Sequence, residues 1–226
     1  MTDAELVEET ITFVKETLQH AEGGHDWFHI QRVFNNTMLI AKEEKVNILV
    51  VSLGALLHDI GDAKFYNGDE TVGPGMARSF LYSLGVSKKV IKHVVDIVEN
   101  ISFKSGLSEG KTKSKRFNSP ELQVVQDADR LDAMGAIGIA RTFNYGGFKN
   151  RSIYDPNISP NLNMTKEEYK KSNAPTINHF YEKLLLLKDK MNTKTGRQLA
   201  EKRHQYMLDY LEQFYQEWNP LTIKSS

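Results

Sequence analysis

The chain contains 226 residues, with 29 lysines and arginines against 29 aspartates and glutamates, seven histidines and no cysteine. The zero net charge argues against a general nucleic-acid coat or a polybasic membrane surface, because both need an excess of positive charge. The absence of cysteine excludes a disulfide scaffold, thiolate zinc sites and thiol catalysis.

The N-terminal segment and the apolar runs predict a cytoplasmic protein. The first fifteen residues are acidic and amphipathic, so they lack the basic start and the apolar centre of a signal peptide. The longest apolar cluster, residues 48–57, is far shorter than the about twenty residues that a membrane-spanning helix needs. We therefore expect no membrane partner.

Helical periodicity dominates the first hundred residues. Apolar spacing predicts a first helix ending near Leu18, and Thr2 with Glu5 forms a candidate capping box at its start. A later helix at about 47–60 is apolar on nearly every side, as expected in the middle of a bundle. Residues 64–75 are predicted as a loop from their glycines and proline. The remaining helices are expected at about 26–44, 76–83 and 87–102.

The second half of the chain combines helical patterns with two long irregular stretches. Apolar periodicity vanishes over residues 104–119, which we interpret as a mobile loop, and it returns over about 120–143, where two glycines weaken it. Residues 144–163 are rich in Gly, Asn and Pro and predict a long loop. Residues 165–218 contain two helical runs, and their aromatic residues are mainly core candidates. No strand pattern or linker stands out, so we expect one all-α domain.

Three distant segments carry side chains that bind divalent ions. Imidazole and carboxylate donors suit manganese, iron, nickel, zinc or magnesium, and the lack of thiolates argues for a catalytic rather than a structural site. An unpaired carboxylate after the apolar helix costs roughly several kcal/mol, so it needs a cation or many hydrogen bonds. A single His-Asp pair is more often a helix-end hydrogen-bonding pair, and only the ordered combination is specific. The candidates are His29, His58, Asp59, Asp127, Asp129 and Asp132.

Four segments resemble the HD superfamily of metal-dependent phosphohydrolases. They are GHDWFHIQRV, GALLHDIGD, ENISFK and VVQDADRLDAMGAIGIAR. These segments are similar to those of the small bacterial HD proteins of the YpgQ/YedJ type. The similarity continues into HFYEKLLLLKDKMNT and GRQLAEKRHQYM, so it covers nearly the whole chain. The resemblance implies a single helical-bundle HD domain over residues 1–226, with a metal core at about 20–135 and additional C-terminal helices at about 165–218.

The resemblance also implies a ligand set for one divalent ion, with manganese expected and magnesium, nickel, cobalt, iron or zinc as alternatives. Asp129 is preferred among the three late aspartates because ADRLDAM matches the family context. Asp127 is then a hydrogen-bonding neighbour, and Asp132 orients a ligand. The implied ligands are His29, His58, Asp59 and Asp129.

Three further residues are candidates for catalysis. Asp62 matches the acidic position that follows the HD pair and would orient or deprotonate the attacking water, although a capping role beside Gly61 is the alternative. Arg32 shares a helical face with His29 and would make a bidentate phosphate contact or pair with an aspartate of the site. Lys64, in the turn after the HD pair, is a second phosphate-binding candidate.

Substrate contacts are predicted at two places. His25 lies just before the second helix, beside the natural N-cap Asp26, and resembles the GHDWxH motif. Tyr145, Lys149 and Arg151 offer a ring for stacking and two cations for a base or a phosphate, although their spacing by itself is weak support.

Four other histidines and the basic residues of segment 104–119 each have a functional and a structural interpretation. His93 is a candidate for a second metal ion, but the paired histidines usual in two-metal HD proteins are missing. His20, His179 and His204 are interpreted as surface or helix-packing residues. The basic residues of the 104–119 segment either close over a polyphosphate or are simply solvated; they are Lys104, Lys111, Lys113, Lys115 and Arg116.

The sequence thus predicts a phosphohydrolase that acts on a small nucleotide. The YpgQ-like resemblance implies nucleoside triphosphate pyrophosphohydrolysis, which yields a nucleoside monophosphate and pyrophosphate. The alternatives are a phosphomonoesterase, a cyclic-nucleotide or dinucleotide phosphodiesterase, and a noncatalytic metal-dependent nucleotide-binding module. A structural helical bundle without metal is a further alternative. Nucleic acid is not expected as the main partner, and the C-terminal aromatic helices fit either a homodimer interface or core packing.

Overall fold

The computed structural model describes residues 1–19, 26–61, 66, 68–101, 117–165, 168 and 171–220. Within these ranges the chain forms helices and no strand, which confirms the predicted all-α fold. The α-helices are α1 (Asp3–Thr17), α2 (Trp27–Ala41), α3 (Ile48–Leu57), α4 (Val72–Ser83), α5 (Lys88–Asn100), α6 (Pro120–Asp132), α7 (Gly135–Phe148), α8 (Asn178–Glu182) and α9 (Lys194–Trp218).

The chain divides into two compact units, Met1–Asp129 and Arg130–Ser226. The expectation of one domain over the whole chain stays a prediction. Among the described helices, none combines the length and the hydropathy that crossing a lipid bilayer requires.

The central helix of the first unit is α3. Its residues from Val50 to Leu57 are all buried, and it packs against α1, α2 and α5, as its uniformly apolar sequence predicts. A β-carbon on Gly54 would lie 3.2 Å from the side chain of Ile97, so the glycine lets α3 approach α5 closely. Because α3 ends at Leu57, the next residue, His58, emerges from the middle of the unit.

Local capping signals account for the starts of several helices. The Thr2 side chain accepts the backbone N–H of Glu5 at 3.2 Å, and the Glu5 carboxylate accepts the N–H of Thr2 at 2.7 Å, which confirms the predicted capping box. Asn47 caps α3 through its side-chain oxygen, which accepts the N–H of Val50 at 3.0 Å. These ends are readable from the sequence because each involves residues only three positions apart.

Helix α4 begins at Val72, four residues earlier than predicted. The sequence placed this segment in a loop because of Gly73, Pro74 and Gly75, and that prediction was wrong there. A proline in the first helical turn removes an N–H that has no intrahelical partner, so it does not prevent the helix from starting.

The predicted helix at 120–143 is two helices, and its second member is longer than expected. Gly135 has φ = +68°, in the left-handed region that glycine adopts readily, and it allows the chain to turn between α6 and α7. Helix α7 then continues to Phe148, so residues 144–148 are helical and not part of the predicted loop. Gly146, in its last turn, leaves room for the side chain of Thr176.

The C-terminal helices differ in regularity. The first predicted run is a short helix, α8, followed by two 3₁₀ turns at Leu184–Leu186 and Lys188–Lys190, whereas α9 begins at its Thr193 cap, close to the predicted junction. Phe180 is buried and stacks on Tyr210 with ring centroids 6.0 Å apart, as a core residue should. Tyr206 and Trp218, predicted as mainly core, are 53% and 45% exposed.

We expect the stability of the protein to depend on pH through His179. Burial, reinforced by the positive charges of Lys183 and Arg151, lowers its pKa from 6.5 to about 3. Between these values the unfolded chain binds a proton that the folded chain excludes, so stability is lost as the pH falls below 6.5. We expect this group to contribute a slope of at most about 1.4 kcal/mol per pH unit. Urea unfolding between pH 7.5 and 4.5 measures it, and His179→Gln should flatten the profile; an equally steep profile in that variant would contradict the assignment.

Candidate metal centre

His29 is held in the first turn of α2. The Asp26 carboxylate accepts its backbone N–H at 3.0 Å, which confirms the predicted N-cap. The His29 side chain is buried, with 3% of the residue exposed. The cap fixes where α2 begins and therefore on which side of the first unit the imidazole lies.

The ring of His58 is oriented by the helix that precedes it. Its Nδ1 lies 2.7 Å from the carbonyl oxygen of Ala55. Since a carbonyl can only accept, Nδ1 carries the proton and Nε2 carries the lone pair. Nε2 is fully buried and has no hydrogen-bond partner in the described part of the chain. A buried lone pair without a donor is costly, and a metal ion is one group that satisfies it.

Two carboxylates, those of Asp59 and Asp129, lie close to the histidine rings. One donor atom from each of His29, His58 and Asp59 lies within 4.8 Å of the others. Asp129 Oδ1 lies 3.6 Å from His29 Nε2 and 3.9 Å from His58 Nε2. Two ligands about 2.1 Å from one ion are separated by at most about 4.2 Å, so the Asp129 distances already fit. The other separations, all within 4.8 Å, need to close by at most about 0.6 Å. The four residues therefore suit one divalent ion.

The structure separates the three late aspartates. Asp129 Oδ1 faces both histidine rings, and the Asp129 side chain is 40% exposed. Asp127 is fully buried within the first unit. Asp132 is 1% exposed and lies in the second unit, where its Oδ2 accepts Arg141 Nη1 at 2.6 Å. This arrangement supports the preference for Asp129 and gives Asp132 a structural partner.

Two groups next to the centre were not predicted from the sequence. The first is the Ala55 carbonyl, a backbone group whose role depends only on the turn after α3. The second is Asn36 of α2, whose amide donates to the Ala128 carbonyl at 3.5 Å, next to Asp129. A polar residue at a buried position of α2 was the available hint for Asn36.

The predicted catalytic residues are only partly described. Arg32 is half-buried in α2, one helical turn after His29, so it shares the face that the sequence assigned to it. Asp62, Lys64 and His25 lie outside the described residues, and their roles stay predictions.

The predicted substrate-binding residues of the second unit do come together. Lys149 Nζ lies 5.7 Å from the centroid of the Tyr145 ring, and Arg151 Cζ lies 5.6 Å from it. Lys149 also lies over Phe148 at 5.0 Å, and Arg151 donates to the Ser172 carbonyl. Tyr145, Phe148 and Lys149 are exposed and Arg151 is half-buried, and the contact of this cluster with a nucleotide stays a prediction.

Among the other histidines, His93 was the candidate for a second metal ion, whereas His179 and His204 were interpreted as surface or helix-packing residues. His93 Nε2 lies 3.0 Å from Ser119 Oγ and 3.3 Å from Glu121 Oε2, and no second cluster of metal-type ligands occurs among the described residues. Burial lowers the pKa of both His179 and His204, which keeps these helix-packing imidazoles neutral. His20 and the basic residues from 104 to 116 lie outside the described residues.

The helical fold and the buried histidine–aspartate group define the class of this protein. Residues 27–134 match the HD domain family, and the chain belongs to the HD superfamily of hydrolases, whose domains bind divalent metals. It is 36% identical to the uncharacterized protein YpgQ of Bacillus subtilis strain 168 over 94% of both chains. The crystal structure of an HD-superfamily hydrolase from Bacillus thuringiensis superposes with a TM-score of 0.76 at 44% identity, over 96% of this chain and 99% of that one. The crystal structure of B. subtilis YpgQ in complex with ADP superposes with a TM-score of 0.75 at 33% identity, over 96% and 97%.

Proposed function

We propose that this chain is a metal-dependent phosphohydrolase of small nucleotides, and specifically a nucleoside triphosphate pyrophosphohydrolase. The observation that carries the proposal is the convergence of His29, His58, Asp59 and Asp129, with a buried lone pair on His58 Nε2. A crystal structure of YpgQ contains ADP, and YpgQ is 33% identical to this chain in that comparison. This complex supports a nucleotide as the ligand of this chain.

The ligand set supplies two neutral and two anionic donors. The His58 imidazole is kept in its ligating tautomer by the Ala55 carbonyl, and His29 is positioned by the cap of α2. A divalent ion bound there would lower the pKa of the attacking water and withdraw charge from the phosphorus. Manganese is the ion we expect, because nitrogen and oxygen donors of this mixture accommodate it.

The remaining predicted residues would contact the attacking water or the substrate. Asp62 would orient the attacking water and accept its proton, and Arg32 and Lys64 would neutralise the phosphate oxygens. His25 would contact the substrate at the mouth of the site. Tyr145, Lys149 and Arg151 would stack on the base or bind phosphate. In the proposed reaction the water oxygen bonds to phosphorus, the anhydride bond between the α- and β-phosphates breaks, and pyrophosphate leaves.

A product screen tests the proposal. Metal-stripped protein is incubated with nucleoside mono-, di- and triphosphates and with manganese, magnesium, nickel or cobalt in turn. We expect turnover of triphosphates with manganese, with pyrophosphate and the nucleoside monophosphate formed in equal amounts. Orthophosphate released from monophosphates would instead identify a phosphomonoesterase. Nucleotide binding without turnover across all the metals would identify a noncatalytic module.

A further inference from the structure

The turn that carries Asp59 packs against the first turn of α4 through two glycines. A β-carbon on Gly61 would lie 2.7 Å from both the Cα and the backbone nitrogen of Gly73. A β-carbon on Gly73 would lie 3.3 Å from the Gly61 carbonyl oxygen. The φ angle of Gly61 is not positive, so its backbone conformation does not require glycine. It is the close approach of the two backbones that requires glycine at this position.

Helix α4 is the better anchored of the two partners. Ala77 and Leu81 on its inner face are fully buried, and its Phe80 ring stacks on Phe13 of α1 with centroids 4.0 Å apart. Residues 58–61, by contrast, form a turn beyond the end of α3. A side chain added at the contact should therefore displace the turn rather than the helix.

We propose that Gly61 and Gly73 are positioning residues of the metal centre, and that their contact holds the Asp59 carboxylate within ligand distance of His29 and His58. The inference rests on the metal set proposed above. Asp59 is two residues before Gly61, so a displacement of the turn is passed on to its carboxylate. Relieving a 2.7 Å contact to an ordinary separation of about 3.5 Å requires a movement of about 0.8 Å. A bound site holds its metal–ligand distances within about 0.2 Å, so a displaced carboxylate must recover that distance at a cost in affinity.

Alanine substitutions at three glycines of this region test the proposal. Gly61→Ala introduces the severe contact, Gly73→Ala introduces a mild one, and Gly75→Ala is the matched control because a β-carbon there meets nothing within 4 Å. The Mn²⁺ dissociation constant is measured by calorimetry on each metal-stripped protein, with its melting temperature recorded before metal is added. We expect Gly61→Ala to weaken Mn²⁺ binding by about 10–100-fold, the range typical of residues that orient ligands. Gly73→Ala should weaken binding by a few-fold, and Gly75→Ala should match the wild type.

Each other outcome has a distinct meaning. A Gly61→Ala protein that melts earlier but binds Mn²⁺ as tightly as the wild type means that α4 has moved instead, which overturns the positioning role. If Gly61→Ala does not fold, Gly73→Ala decides, and unchanged Mn²⁺ affinity in that variant overturns the proposal. A wild-type protein that binds no Mn²⁺ overturns the metal set itself, whereas binding that Asp59→Asn removes and Gly61→Ala leaves intact overturns only the glycine contact.

Discussion

His58→Gln and Asp59→Asn proteins are expected to lose more than about 100-fold in metal affinity and to show no measurable hydrolysis. Residues that merely orient ligands contribute about 10–100-fold, so a ligand itself contributes more. His58 Nε2 has no hydrogen-bond partner among the described residues, and the proposed metal ion would satisfy its lone pair. Both substitutions preserve the approximate shape of the side chain, which limits damage to the buried surroundings.

Metal titration and thermal melting measure the effect together. A ligand that binds only the folded state at 100 times its dissociation constant stabilises it by about 2.7 kcal/mol, so wild-type protein should melt later when Mn²⁺ is added. The two variants should show no such shift. Suitable controls are His204→Gln and Asp209→Asn in α9, because both lie in the second unit and outside the proposed ligand set. Full turnover by either ligand variant would overturn the proposed mechanism.

Asp132→Asn is expected to destabilise the protein by about 3 kcal/mol while leaving metal affinity unchanged. The Asp132 carboxylate is 1% exposed and pairs with Arg141 at 2.6 Å. Removing one partner of a buried ion pair costs about 3–5 kcal/mol, and the partial exposure of Arg141 favours the lower value. Burial lowers the pKa of Arg203, and the Asp132 charge opposes that shift, so a second guanidinium also loses stabilisation.

Urea unfolding of the metal-free protein measures this loss, and calorimetry with Mn²⁺ measures affinity. The double variant Asp132→Asn/Arg141→Gln should recover part of the lost stability, because it removes the guanidinium that the carboxylate balances. Asp129→Asn provides the contrast, with weak metal binding and nearly unchanged stability. An Asp132→Asn protein with wild-type stability but weak metal binding would place Asp132 in the metal centre instead.

The sequence was sufficient wherever a structural feature depends on neighbouring residues. The capping box of Thr2 and Glu5, the Asp26 cap and the uniformly apolar α3 each follow from contacts within about one helical turn. The same local logic failed at Gly73 and Gly135. At Gly73 the glycines and proline predicted a loop, but the chain forms α4 there. At Gly135 the pattern predicted one weakened helix, but the chain turns between α6 and α7. Whether the chain is helical or turns at such a glycine depends on packing that the local pattern does not contain.

The identity of the metal-type residues and the all-α class were determined by the sequence alone, because side-chain chemistry and helical periodicity are properties of the chain itself. Only the tertiary structure showed that Asp129 Oδ1 lies within 3.9 Å of Nε2 of both His29 and His58. It alone showed that the Ala55 carbonyl orients His58 and that Gly61 meets Gly73. The physical reason is distance along the chain: residues 29, 58 and 129 meet only when separate helices pack, and packing depends on the whole set of buried surfaces.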